Sequence, residues 1–216
     1  MSLFDQETKN QLKGIFENMN KEVTMALFTK EEDCPTCQDT VSYLEELEAI
    51  TDNLNLERYD LSKDHELAEE YEVSLAPSIV LLDNQKKYKR IKFNGIPAGH
   101  EINSLISSIL EVSGSREDLG QETMERLDKI TNPIDIKVFV TLSCPHCPGA
   151  VSKAHKLALE NSNISASMIE AQTFAELSNQ FNVSSVPKIV VNDKYEFLGD
   201  QPLETFISEI EKAQAA

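Results

Sequence analysis

The chain repeats itself at one fixed interval. Cys34 and Cys37 recur as Cys144 and Cys147, 110 positions later. The same interval links Asp60 to Glu170, Leu67 to Leu177, Tyr71 to Phe181, Val73 to Val183, Pro77 to Pro187 and Ile79-Val80 to Ile189-Val190. "QETKNQL" at Gln6 and "QETMERL" at Gln121 match at a slightly larger offset. Matches spread over most of both halves describe a duplicated, domain-sized unit, and two copies do not make a solenoid. The 216 residues therefore divide into two domains, each of about 100 residues. The boundary falls in "EVSGSREDLGQE", where Ser113-Gly114-Ser115 ends an apolar helix. This predicts domains at 1–114 and 115–216.

Each half carries the same succession of patterns. Leu12, Ile15, Phe16 and Met19 form one helical stripe. "EVTMALF" and "IKVFV" are short apolar strands that run into the cysteine pairs. Helical spacing follows, at Val41, Leu44, Leu47 and Ile50, and at Ala150, Val151, Ala154, Leu157 and Ala158. "LERYDL" and "SASMIEA" read as second strands, and short helices carry Leu67-Ala68-Tyr71 and Phe174-Leu177-Phe181. "PSIVLL" and "PKIVVN" open a closing pair of strands before a last helix. The pattern is α/β: strand–helix–strand, then strand–strand–helix, after an extra N-terminal helix. The first crossover predicts a parallel, right-handed pair inside a mixed sheet flanked by helices.

Strand-to-helix placement directs the cysteine chemistry. A cysteine in the first turn of a helix faces unpaired backbone N–H groups and the positive end of the macrodipole. Both favour the thiolate, and cysteine pKa values in such places fall from about 8.5 to about 3.5–7.5. Pro35 and Pro145 suit a first turn because they lack an N–H. Two intervening residues bring the sulfurs within bonding reach. Cys34 and Cys144, nearer the helix start and solvent, are expected to attack, and Cys37 and Cys147, one turn in, to resolve the mixed disulfide. The residue between differs: His146 adds positive charge or a donor, whereas Thr36 has only a hydroxyl. The Cys144–Cys147 pair is therefore expected to be the more oxidising.

Zinc is the competing reading. Structural zinc pairs lie about 15–20 residues apart, whereas 106 residues separate Cys37 from Cys144. No metal site is expected. The net charge of −17 argues against nucleic-acid and anionic-membrane partners. The N-terminus lacks a basic start followed by an apolar run, and no stretch approaches a bilayer span, so a cytoplasmic location is expected. Four cysteines in such a chain point to redox or metal chemistry before structural disulfides. Without a phosphate loop or dinucleotide fingerprint, the chain is expected to hold no cofactor and to take electrons from a partner.

Pro77 and Pro187 each stand 43 residues after the outer cysteine. Cys-Pro-x-Cys at a strand–helix junction, with Ala76-Pro77 or Val186-Pro187 opening a later strand, resembles the thioredoxin/glutaredoxin superfamily. Two such units, with "FNGIPAGHE" at Phe93 and "CPHCPGAVSKAHKLALEN" at Cys144, resemble the glutaredoxin-like protein disulfide oxidoreductases, a tandem thioredoxin-fold family. The resemblance implies cis peptides before Pro77 and Pro187, with the backbone of Ala76 and Val186 receiving an extended substrate. It implies reduction, formation or isomerisation of protein disulfides, fed by a thioredoxin reductase-like flavoenzyme. Arginine is scarce, so extreme growth temperature is not carried over. One alternative is an electron relay from a flavoprotein to a peroxiredoxin, although retention of Cys34 and Cys37 weighs against a pure relay. Another is a chaperone-like peptide-binding module.

Asp60 and Glu170 end equivalent strands and are expected at the surface, because acids are seldom buried. His155, on the helix after Cys147, is assigned to packing or solvent, and His100 to the start of the last helix of its half. "KKYKR" at Lys86 reads as a solvated hairpin.

Overall fold

The computed structural model describes residues 3–215. The chain forms two compact units. The first holds the chain up to Lys89 together with Asn94–Ile96 and Ile109–Arg116, and the second holds Arg90–Phe93, Pro97–Ser108 and the chain from Glu117 onward. This grouping follows compactness; the sequence repeat is a separate division of the chain.

In the first unit, helix α1 (Gln6–Phe16) starts where the Asp5 carboxylate accepts from the Thr8 N–H at 2.7 Å, a side-chain N-cap. It buries Leu12 and Phe16. Strand β1 (Val23–Thr29) is apolar and buried along nearly its whole length, as a central strand covered on both faces must be. It pairs in parallel with β2 (Leu54–Asp60), Val23 opposite Leu54 through Thr29 opposite Asp60. On its other side lies antiparallel β3 (Ser78–Leu82). Helix α2 (Cys37–Glu48) makes the predicted β1–β2 crossover, and α3 (His65–Glu70) follows β2. Phe28, Tyr71 and Val80 anchor a core cluster against which Tyr59 and Leu67 pack. The first repeat continues, after a tight turn at Asp83–Lys87, with β4 (Tyr88–Asn94), a one-turn 3₁₀ helix (Gly99–Glu101) and α4 (Ile102–Val112), of which Arg90–Phe93 and Pro97–Ser108 belong to the second compact unit. The "KKYKR" segment is that turn and the start of β4, and Lys86 pairs with Glu57 and Lys89 with Asp83.

The second unit repeats the plan. After α5 (Gln121–Leu127), strand β5 (Ile134–Val140) pairs in parallel with β6 (Ile164–Glu170) and antiparallel with β7 (Lys188–Val191). β7 in turn pairs with β8 (Tyr195–Leu198). Helix α6 (Cys147–Glu160) makes the crossover, α7 (Ala175–Gln180) follows β6, and α8 (Leu203–Gln214) closes the unit. Phe139, Ile169 and Val190 form the core counterpart, packed by Phe174, Leu177 and Phe181. Arg126 of α5 clasps Glu204 and Glu211 of α8. Among the described residues no helix is long and apolar enough to cross a membrane.

Candidate active site

Both cysteine pairs stand where a central strand gives way to a helix. Cys34 is bonded to Cys37 and Cys144 to Cys147, with Cα separations of 5.4 and 5.5 Å. The expected helix starts move. α2 begins at Cys37 and α6 at Cys147, with Thr36 and His146 just before the first helical residue. Pro35 and Pro145 therefore lie in the turn ahead of the helix, not in its first turn. Lacking an N–H, each lets the chain leave its strand through a tight turn, which the Cys37 N–H closes on the Cys34 carbonyl at 3.2 Å in the first unit. The inner cysteine takes the first helical position, so the positive end of each helix still borders the sulfurs.

The outer cysteines are less exposed than expected. Cys34 is half-buried, and Cys144 is only 8% exposed, against 0% for its partner Cys147. The reason in the second unit is specific. Ala76–Pro77 and Val186–Pro187 are both cis, and the Cys144 sulfur lies 3.9 Å from the Val186 carbonyl oxygen. The Pro77 carbonyl accepts from the Gly95 N–H at 2.9 Å and the Pro187 carbonyl from the Gly199 N–H at 2.8 Å. The same support thus recurs behind both prolines. Ala76 and Val186 are half-exposed, and Pro35, Pro145 and His146 are exposed. The Thr36 carbonyl accepts from the Thr40 N–H and hydroxyl, while its own hydroxyl is buried without a partner.

The approaches to the two disulfides differ in charge. Glu31, Glu32 and Asp33 lead into Cys34, where Thr141, Leu142 and Ser143 lead into Cys144. Lys63 offsets part of this charge by pairing with Glu31 and Asp60, and this lysine holds the Asp60 carboxyl below its usual range. Asp60 remains near the surface as expected. Glu170 does not: it is 3% exposed. Its burial is compensated, because its oxygens accept from the Gln172 and Thr173 N–H groups and the Thr173 hydroxyl. It serves the turn after β6.

Two further titratable groups lie in the second unit. Glu101 is fully buried on the 3₁₀ helix that packs against α6. One of its oxygens accepts from the Ser104 hydroxyl and the other has no partner. Burial pushes its carboxyl up to about 7. The segment is tied to the loop ahead of Cys144: the His100 N–H donates to the Leu142 carbonyl at 3.0 Å. Gly99, at φ +59°, lies so close that a Cβ there would overlap that carbonyl. Sequence reasoning placed this glutamate inside a motif and assigned it nothing; a lone acid heading the apolar α4 pattern was the available signal. His155 packs inward, 1% exposed. Its Nδ1 lies 2.9 Å from the Ser108 hydroxyl, its ring stands edge-on to Phe93, and burial lowers it to about 3.

Comparison with known proteins agrees with this geometry. A thioredoxin-domain family model matches residues 134–212. Two structures of the alkylhydroperoxide reductase AhpF of Enterococcus faecalis, one of them its NTD_N/C domain, superpose with TM-score 0.90 at 28% identity, covering 96% of this chain and 99% of theirs. A protein disulfide oxidoreductase from Aeropyrum pernix superposes with TM-score 0.89 at 27% identity, covering 98% of this chain and 94% of that one. The chain is built from thioredoxin-like domains. By sequence the chain is also 32% identical, over 56% of its length, to the F polypeptide of alkyl hydroperoxide reductase from Staphylococcus aureus. It spans between 23% and 38% of the length of the first curated relatives it matches.

Proposed function

We propose that both disulfides are working redox centres acting on protein disulfides, in repeats 1–114 and 115–216 of a cytoplasmic protein. Cys34 and Cys144 attack; Cys37 and Cys147 resolve. In the reducing direction the Cys144 thiolate attacks one sulfur of a substrate disulfide. The substrate's S–S bond breaks, the other substrate sulfur leaves as a thiolate and takes a proton, and a Cys144–substrate bond forms. Cys147 then loses its proton and attacks the Cys144 sulfur, restoring the internal disulfide and releasing the second substrate thiolate. Two electrons pass to the substrate. The oxidising direction is the reverse.

The observation that carries this reading is the Cys144 sulfur set against the carbonyl before cis-Pro187. That contact supports an extended substrate strand pairing beside the attacking atom. An extended substrate would pair with the backbone of Val186, and of Ala76 in the first repeat. Pro35, Thr36, Pro145 and His146 shape the rim. Each cycle leaves a disulfide that a donor must reduce. The likeness to the alkyl hydroperoxide reductase AhpF supports a thioredoxin reductase-like flavoprotein as donor, with a peroxiredoxin as one acceptor. Insulin reduction driven by dithiothreitol tests the reading. Wild type should outpace the uncatalysed rate, and Cys34→Ser/Cys144→Ser should fall to it. Unchanged turnover in that double variant would refute the assignment and favour a peptide-binding role.

A further inference from the structure

The N-termini of the two redox helices are built differently. Helix α2 carries its own first-turn acid, Asp39, whereas α6 has none. In the second unit the carboxylate arrives from elsewhere. Asp200 follows Gly199, whose N–H is tied to the Pro187 carbonyl at 2.8 Å and whose φ is +84°. That turn seats the Asp200 carboxylate directly over Gly149, the third residue of α6, where a Cβ would come within 2.7 Å of the carboxyl carbon. Lys153, one turn further along α6, holds it at 2.5 Å. The acid and the lysine are each about 30% exposed at the side chain. The seat therefore requires glycine, and a charge pair occupies it two residues from Cys147.

We propose that Asp200 is a positioning residue that sets the thiolate stability of Cys144, with Lys153 as its counterweight. This deepens the redox reading and rests on it. A carboxylate at the positive end of a helix takes up field that would otherwise stabilise the sulfur anion. Lys153 returns part of it. Of the other charged or titratable groups around α6, Glu101 is buried on the 3₁₀ helix, Glu170 is spent on its own turn, His155 is buried, His146 is exposed beside Cys144, Lys156 pairs with Glu117, Glu160 lies at the far end of the helix, and Arg126 of α5 pairs with Glu204 and Glu211 of α8.

The test uses the full chain with Cys34→Ser and Cys37→Ser, so that only the second pair titrates. Redox potential is read against glutathione buffers, and Cys144 alkylation by iodoacetamide is followed across pH. Asp200→Asn should lower the Cys144 pKa and raise the equilibrium constant for reduction about threefold, equivalent to about 15 mV. Lys153→Gln should move both in the opposite direction. Gly149→Ala, which displaces the carboxylate, should resemble Asp200→Asn. A purely structural pair would shift melting temperature in all three variants without opposed shifts in potential. Shifts of the same sign in Asp200→Asn and Lys153→Gln, or none in variants with native far-ultraviolet circular dichroism, overturn the proposal while leaving the redox reading intact. Failure of the parent to reduce insulin overturns both.

Discussion

Glu101 and His155 are buried titratable groups whose effects on stability oppose each other. The unfolded chain loses the Glu101 proton near pH 4.5, while the folded chain keeps it to about 7. Its contribution is full below 4.5 and is lost as pH rises to 7. His155 behaves inversely. Its ordinary value of 6.5 is lowered to about 3, so its contribution is full above 6.5 and is lost as pH falls. Between pH 4.5 and 6.5 the two slopes, each about 1.4 kcal/mol per pH unit, cancel. Glu101→Gln removes one of them. Urea unfolding of that variant should then show stability falling by about 3 kcal/mol from pH 6.5 to 4.5, over a range where wild type is nearly flat. A flat profile in the variant would contradict the neutral burial of His155. For His155 the sequence left packing and solvent open, and packing is what the fold uses; the burial of Glu101 was not legible beforehand. Burial of Glu101 depends on a segment packing against a helix that begins 46 positions later, and no local pattern records that. The same applies to Glu170, where the general scarcity of buried acids outweighed a turn that satisfies this one. The cysteines and Pro77 and Pro187 were legible because their spacing recurs.

The elements most open to sequence reading were the strands and helices with strong periodicity. β1, β5, α2 and α6 run close to where the apolar pattern puts them. The junctions between them were read less well. Helix starts moved to the inner cysteines because the turn geometry of Cys-Pro-x-Cys, not hydrophobic spacing, decides where helical bonding begins. The segments leading into those turns make the two centres unequal. Three acids precede Cys34 and none precedes Cys144. Negative charge disfavours a thiolate and so lowers the potential of its pair. This adds to the effect expected of His146 and gives the same order, with Cys144–Cys147 the more oxidising. Glu31→Gln/Glu32→Gln/Asp33→Asn should raise the potential of the first pair by about 30 mV for each unit by which the Cys34 pKa falls. The second pair should not move. Redox titration of each pair alone, with the other pair changed to serine, measures both, and an unmoved first pair would remove charge as the cause of the inequality.

Over the whole molecule the repeat is visible twice, in residues and in backbone: parallel β1–β2 and β5–β6 pairs, antiparallel β3 and β7, and a cis-proline opening each of those two strands. The net charge of −17 is a property of the chain as a whole and works against compactness. The melting temperature should therefore rise when salt goes from about 10 to about 150 mM, as the screening length falls from about 30 to about 8 Å. A fall, measured by calorimetry, would mean that ion pairs such as those of Arg126 outweigh the repulsion. Gly99 carries a different consequence. Its missing side chain is what lets a distant peptide grip the loop ahead of Cys144. One added methyl group there would loosen that grip with every sulfur still in place. Natural variants of this chain thus have a route to inactivity that an inventory of cysteines alone would score as healthy.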